Sequence, residues 1–318
     1  MKNENGEIMK AVRIHGFGGR ERLVYEDAPR PKADAGEVLI RVHAAGVNPV
    51  DWKTRKGDGV AGQFNEFPAI LGWDVSGTVT GLGERAGGIA IGDEVYGMIR
   101  FPKPGAAYAE YAAAPVGHLV RKPKSLDHIS AAAVPLAALT AWQALFSVAQ
   151  LKAGQRVLIH AAAGGVGHLA VQLAKWKGLY VAGAASAGNA AMVKELGADE
   201  IFDYRSGPFE YALKDFDAAI DTVGGDIAVR SYAVLKPGGV MVSILGGGDP
   251  ERAREMDIRS VGMLVKPDAG QLREITAQID AGRIKPWVES VLPLAGAAEA
   301  HALSESGRTR GKIVLKAF

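Results

Sequence analysis

The sequence predicts an α/β fold: a doubly wound parallel sheet in the second half of the chain, preceded by a β-rich region and closed by a return to β. Three observations predict it. From Lys10 to about Lys122, short alternating or β-branched runs such as VLIRVHAAGV, VSGTVTGLG and GDEVYGM are broken by turn residues. From Ser130 onward, strand-like and helix-like segments alternate, as βαβ units do. Between an apolar strand and an amphipathic helix stands a glycine cluster, in the segment RVLIHAAAGGVGHLAVQLAKWKG.

In chain order, residues 1–8 precede a second methionine, Met9, and read as a disordered extension. The β-rich region follows over 9–122. The alternating part then runs as helical AAAVPLAALTAWQALF, strand RVLIH, helix VGHLAVQLAKWKG, strand LYVAGAAS, helix NAAMVKELG, strands EIFDY and DAAIDTV, helical AVRSYAVL and strand GVMVSIL. A further helix is predicted at LREITAQIDAG, then strand WVESVLPL, a short helix at AGAAEAHALSE and a terminal strand KIVLKAF. The expected boundaries place one domain at 9–122, completed by 289–318, and a second at 123–288.

Composition fits two domains. A chain of 318 residues, 48% hydrophobic and 23% charged, has material for a sizeable core. A net charge of +2 without any Lys/Arg block lacks the electrostatic footprint of a nucleic-acid binder, so a small-molecule substrate is expected. With no cysteine, disulfides, thiolate nucleophiles and thiolate-bound zinc are excluded. The start MKNENGEIMK has no apolar core of a secretory signal, and a cytoplasmic location is expected. Ile129 to Leu151 is uncharged and of membrane-spanning length, but its alanines, Pro135, Thr140 and Gln143 read as a buried helix of a protein without a membrane partner.

The glycine cluster carries the chemistry. Gly164 and Gly165 let the backbone approach a pyrophosphate, Gly167 permits tight packing of helix on strand, and the N–H groups from Val166 onward face the anion. Against G-x-G-x-x-G the fit is Ala162, Gly164 and Gly167, in a strand, loop and helix context that marks a Rossmann-type dinucleotide site. Sites that prefer NAD place Asp or Glu about 20 residues past the loop. Here that strand ends VAGAASAGNAA, with neutral Ser186 and Asn189, while Tyr204 and Arg205 offer a ring and a cation at the end of the third strand. Charge-assisted hydrogen bonds contribute roughly 1.5 to 3 kcal/mol each, so NADPH is the expected cofactor. The alternative is that Ser186 and Asn189 cap the following helix.

From Met9 to Phe318 the chain resembles the medium-chain dehydrogenase/reductase superfamily, in its zinc-independent quinone oxidoreductase and enone oxidoreductase branch. The carriers are AAGVNPVDWK at 44–53, FPAILGWDVSGTV at 67–79, GDEVYGM at 92–98, LTAWQAL at 139–145, AAAGGVG at 161–167, ELGADEIFDY at 195–204, DTVGG at 221–225 and GKIVL at 311–315. The resemblance implies a GroES-like β-barrel domain, closed by the C-terminal strands, with the nucleotide-binding domain inserted and the active site in the cleft between them. In zinc-dependent relatives a cysteine in the first block and a Gly-His-Glu in the second help hold the metal. This chain has Asn48 in the first block and Gly72-Trp73-Asp74 in the second, so no metal site is expected. His43, His118 and His160 lie in different segments and read as packed or surface residues.

By the same resemblance, Asn48 and Lys53 face nicotinamide and substrate, Thr140 lies by the nicotinamide, Thr222 contacts the cofactor, and the backbone of Ile244, Leu245 and Gly246 passes under the ring. Lys53 would stabilise an enolate or quinol oxygen; the plainer reading is a solvated lysine, with Asn48 fixing a turn before Pro49. Trp52 offers either an aromatic wall for a flat acceptor or domain packing. Of Arg308, Arg310 and Lys312, Arg310 is the residue expected at the cofactor, unless RTRGK is only a solvated loop. The function implied is NADPH-dependent hydride transfer to a quinone or an α,β-unsaturated carbonyl. A carrier-linked enoyl reductase and a non-catalytic NADPH-binding or sensing protein are the alternatives. A homodimer through the apolar strand GVMVSIL is the oligomer that analogy allows.

Overall fold

The computed structural model describes residues 7–246 and 248–318. The described residues form two compact units: those up to 136, 266–281 and 286–318 make the first, those within 137–265 and 282–285 the second. The expected boundaries at 123 and 288 therefore move. The helix Ala269–Asp280 belongs to the first unit, where Tyr96 and Thr276 hydroxyls lie 2.8 Å apart and Asp280 accepts from Ser125 N–H and Oγ–H. Residues 1–6 of the expected extension lie outside the described residues. Ile8 does not extend freely: it opens a strand and pairs with Pro29.

In the first unit the strands are β1 (Ile8–Ile14), β2 (Val24–Pro29), β3 (Glu37–Val47), β4 (Ala69–Ile70), β5 (Asp74–Leu82), β6 (Glu94–Met98), β7 (Tyr111–Pro115) and β8 (Leu119–Arg121). β2, β1 and β4 form one antiparallel sheet. The organising element is β3, whose β-branched and small residues are buried on both faces at its C-terminal half. It pairs with β5 and β7, and its register with β5 shifts at Leu39/Ile40 and Val42/Ala44, the irregularities that bend a sheet. The block VNPVDWK carries a helix, Pro49–Lys56, and Asn48, read in the plainer alternative as fixing a turn before Pro49, is its N-cap. Pro49 stands at its first position, where no N–H is needed, and Gly57 closes it at φ +98°.

The second unit supplies β9 (Arg156–Ile159), β10 (Tyr180–Ala185), β11 (Glu200–Asp203), β12 (Phe216–Asp221), β13 (Leu235–Ser243) and β14 (Arg259–Gly262), all parallel and ordered β11-β10-β9-β12-β13-β14. This is the Rossmann order, reversing direction between β9 and β12. Leu158, Ala182, Phe216, Ala219, Tyr232 and Met241 fill one core of this sheet. The segment GVMVSIL is not a free edge: β14, a short and half polar strand, pairs along β13 and covers it. The uncharged stretch 129–151 is not one helix either. It breaks into His128–Ala132, Pro135–Trp142 and a π-helical turn at Gln143–Val148, and no helix among the described residues is long and apolar enough to cross a membrane.

The last strands, β15 (Val288–Pro293) and β16 (Lys312–Lys316), return to the first unit. β16 inserts beside β3, pairing antiparallel with Ala44–Val47, and carries β15 on its other side, which completes a sheet ordered β15-β16-β3-β5-β6-β8.

Candidate functional site

In the second unit every expected cofactor position except Thr140 lies just past the C-terminal end of a strand, around the point where strand order reverses. Past β9, Ala162 N–H donates to Ala184 O of β10 (2.9 Å) and Gly164 N–H donates back to Ala161 O (2.8 Å), folding the loop tightly on the sheet. Ala161 takes φ +45°, an uncommon conformation for a residue with a side chain. A Cβ on Gly167 would stand 2.1 Å from Ala161 O and 2.8 Å from Ala162 Cα, so only glycine fits where the helix Gly167–Trp176 meets the strand. Val166 is its N-cap and offers no side-chain acceptor, which leaves first-turn donors for an anion.

Past β10, Ser186 precedes and Asn189 ends the short turn Ala187–Asn189, and neither side chain caps a helix. Past β11, Tyr204 is 53% exposed, and the Arg205 guanidinium lies 5.6 Å from its ring centre without an ion pair among the described residues. Past β12, the buried Asp221 carboxylate ties two loops together. Its Oδ1 accepts from Val223 N–H (2.8 Å) and Gly224 N–H (2.9 Å), and its Oδ2 lies 2.8 Å from Ser243 Oγ, which also lies 3.0 Å from Gly246 O. Ile244 N–H donates to Asp221 O and Leu245 N–H to Ser243 Oγ. Thr222 Oγ–H donates to His160 O (2.9 Å), and the buried His160 has its Nε2 2.8 Å from Ser231 Oγ. Burial pulls His160 down to about 4, against the Asp221 charge. Thr140 lies within the helix Pro135–Trp142 at 3% exposure, packed into the unit.

The first unit is different in kind. Asn48 caps the helix Pro49–Lys56, with its N–H on Asp51 Oδ2. Its amide does not present a polar atom to a ligand as expected, because Asn48 is 1% exposed and both ends are taken. Nδ2–H donates to Asp74 Oδ2 (2.9 Å), and Oδ1 accepts a short bond from the Lys312 ammonium. Lys312 also donates to Val47 O (2.8 Å) and stands 3.9 Å from Asp74 Oδ2, while Asp74 Oδ1 accepts from Leu136 N–H (2.7 Å). Tyr108 O–H donates to Asp51 Oδ2 (2.7 Å) and lies 3.3 Å from His301 Nε2. Burial raises Asp51 to about 7 and Asp74 to about 6, with Lys312 opposing both, and it lowers the Lys312 ammonium from its ordinary range.

On the same helix Trp52 is half-buried. Lys56 Nζ lies 4.7 Å from its ring centre and pairs with Glu305, whereas Lys53 Nζ, 5.6 Å from that ring, has no ion pair among the described residues. The basic residue expected at the cofactor, Arg310, forms an exposed pair with Glu289 at 3.1–3.3 Å. Sequence reasoning placed Lys312 beside Arg310 but missed its burial, and missed Asp51 and Tyr108 altogether.

The histidines go to separate partners. His43 lies 3.0 Å from Thr78 Oγ1, and His118 accepts from Arg100 N–H. Among the described residues no three His, Asp or Glu side chains form a group that could hold a metal ion.

Residues 34–124 match the family described as alcohol dehydrogenase GroES-like domain, and residues 196–315 the family described as zinc-binding dehydrogenase. The quinone oxidoreductase of Coxiella burnetii superposes with a TM-score of 0.92 at 39% identity, over 98% of this chain and 100% of that one. The mitochondrial NAD(P)H oxidoreductase RTN4IP1 of Danio rerio is 34% identical over 88% of this chain and 83% of its own length. The 2-methylene-furan-3-one reductase of Solanum lycopersicum is 34% identical over 96% of this chain and 79% of its own length. With a Rossmann sheet and a GroES-like unit in place, the chain belongs to the medium-chain dehydrogenase/reductase superfamily, in its quinone and enone oxidoreductase branch.

Proposed function

We propose that this chain is an NADPH-dependent, zinc-independent reductase of quinones or α,β-unsaturated carbonyls. The observation that carries the reading is the rim of the parallel sheet. Backbone donors and neutral side chains gather there around Gly164–Gly167, no carboxylate follows β10 between Ala185 and Asn189, and Tyr204 and Arg205 stand exposed beyond β11. The residues present fit a dinucleotide. The loop and the helix start would hold its pyrophosphate, Ser186 and Arg205 its ribose phosphate, and the backbone at Ile244–Gly246 its nicotinamide end. Bound there, NADPH supplies the hydride.

The donor set does not fit catalytic zinc. Asn48 and Asp74, in the two blocks that bind metal in relatives, are bonded to each other and to Lys312. Tetrahedral zinc needs three or four convergent ligands that this arrangement lacks. Charge developing on the acceptor oxygen falls instead to Lys53, an ammonium with no ion pair among the described residues, and Trp52 forms a wall for a flat acceptor. The accompanying proton comes from water.

The test is oxidation of NADPH and NADH with a naphthoquinone, a short enal and a crotonyl thioester, each with and without a chelator. NADPH is expected to bind about tenfold or more tightly than NADH, a difference of about 1.4 kcal/mol per decade, and Ser186→Asp to reverse the order. Turnover is expected to survive chelation. Equal affinities for the two cofactors would overturn the NADPH assignment, and loss of turnover on metal removal the zinc independence.

A further inference from the structure

Lys312 is 3% exposed in β16, and its ammonium has partners from two other strands: Val47 O and Asn48 Oδ1 at the end of β3, and Asp74 Oδ2 at the start of β5. Burying an ammonium is unfavourable unless its N–H bonds are satisfied, so this lysine is retained against a solvation cost. Where the bonds go is informative. Both hydrogen-bond acceptors belong to consecutive residues that end a strand and cap the helix Pro49–Lys56. At the far end of that helix, the buried Arg55 donates to Glu305 (2.8 Å) and to Gly18 O (3.2 Å). Both ends of the helix are thus held by buried side chains, and Trp52 and Lys53 lie between them.

We infer that Lys312 is a positioning residue, whose ammonium fixes the junction of β3 with the helix Pro49–Lys56 and through it the placement of Lys53 and Trp52. The inference rests on the reading that Lys53 serves the acceptor. A helix held at its cap moves as one body, and a displacement of about 1 Å at a reacting group costs up to about a hundredfold in rate. The competing role for Lys312 is charge balance alone, neutralising Asp74 without directing the helix.

Three variants separate these roles: Lys312→Met, Lys312→Arg and Lys312→Met combined with Asp74→Asn. Each is measured for acceptor kcat/KM, NADPH dissociation constant, melting temperature and amide exchange of residues 48–57. For Lys312→Met the expected result is a fall in kcat/KM of about tenfold or more, with NADPH affinity kept within about twofold and faster exchange in 48–57. Lys312→Arg is expected to recover most of it. The double variant restores charge balance without restoring the bonds to Val47 and Asn48, and is expected to stay impaired. Recovery of full kcat/KM by the double variant would overturn the inference. So would unchanged exchange over 48–57 in Lys312→Met, whatever its melting temperature. If the parent protein reduces no quinone or enone, the reductase reading fails on its own, and exchange still decides whether Lys312 holds the helix.

Discussion

The two units hold their candidate positions by different physics. In the second, placement is a matter of backbone: loops past β9, β12 and β13 are fixed by main-chain bonds, by Asp221 and by a glycine against which no Cβ fits. In the first, placement is a matter of buried charge: Asp51, Asp74 and Lys312 are fully enclosed and hold one another together with Asn48 and Tyr108. A backbone-built site tolerates changed side chains but not added atoms. An ion-built site tolerates neither the loss of a partner nor an unmatched charge.

The largest expected effect tests the ionic half. Asp74→Ala removes the counter-charge of the buried Lys312 ammonium and an acceptor of Asn48 Nδ2–H and Leu136 N–H, and breaking a buried pair in this way costs about 3–5 kcal/mol. Denaturant unfolding reads this directly, and a loss under about 1 kcal/mol, the range of an exposed pair, would erase the contrast between the units. Gly167→Ala comes next, at about 1–3 kcal/mol from overpacking against Ala161 O, with weakened NADPH binding. Its control is Gly188→Ala, where nothing lies within 4 Å of the added carbon and a change within about 0.5 kcal/mol is expected.

The smallest effect is in pH dependence, where the units run in opposite directions. His160 takes up its proton near 6.5 when unfolded but near about 4 when folded. The unfolded state therefore binds more protons between those values, and this contribution, full above 6.5, is lost as pH falls. Asp51, raised from 3.8 to about 7, and Asp74, raised to about 6, hold protons that the unfolded chain releases, so their contribution is full below 3.8 and fades as pH rises toward 7. Denaturation midpoints from pH 4 to 7 should therefore fall less on acidification in His160→Gln than in the parent, and less on alkalinisation in Asp51→Asn. Parallel slopes in all three proteins would remove the distinction.

The same contrast explains what was legible in the sequence. Strand, glycine loop and helix are consecutive, so β9, Gly164–Gly167 and the helix Gly167–Trp176 declare themselves within one short window. The ionic cluster joins Asn48 to Lys312, 264 positions apart, and no local period carries that pairing. Arg310 is expected at the cofactor by resemblance alone; it sits outside the last strand beside Glu289, while Lys312 opens that strand from within. The signal available was charge embedded in apolar runs: Asp74 in GWDVSGTV and Lys312 in GKIVL. The strand β14 escaped notice because RSVG is short and half polar, and only the partner β13 makes it a strand.

The place of β16 beside β3 also sets an order of events during synthesis. β3 and β5 leave the ribosome early, yet the strand that covers Ala44–Val47, and the ammonium that answers Asp74, are made only after the whole of the second unit. Until then Asp51 and Asp74 have no internal counter-charge and gain nothing by leaving water. The second unit, nearly continuous in sequence, can close on its own sheet meanwhile. The seam at Lys312 thus closes only after the second unit has been made, and until it closes the flank of β3 stays open to whatever chaperone or protease attends the nascent chain.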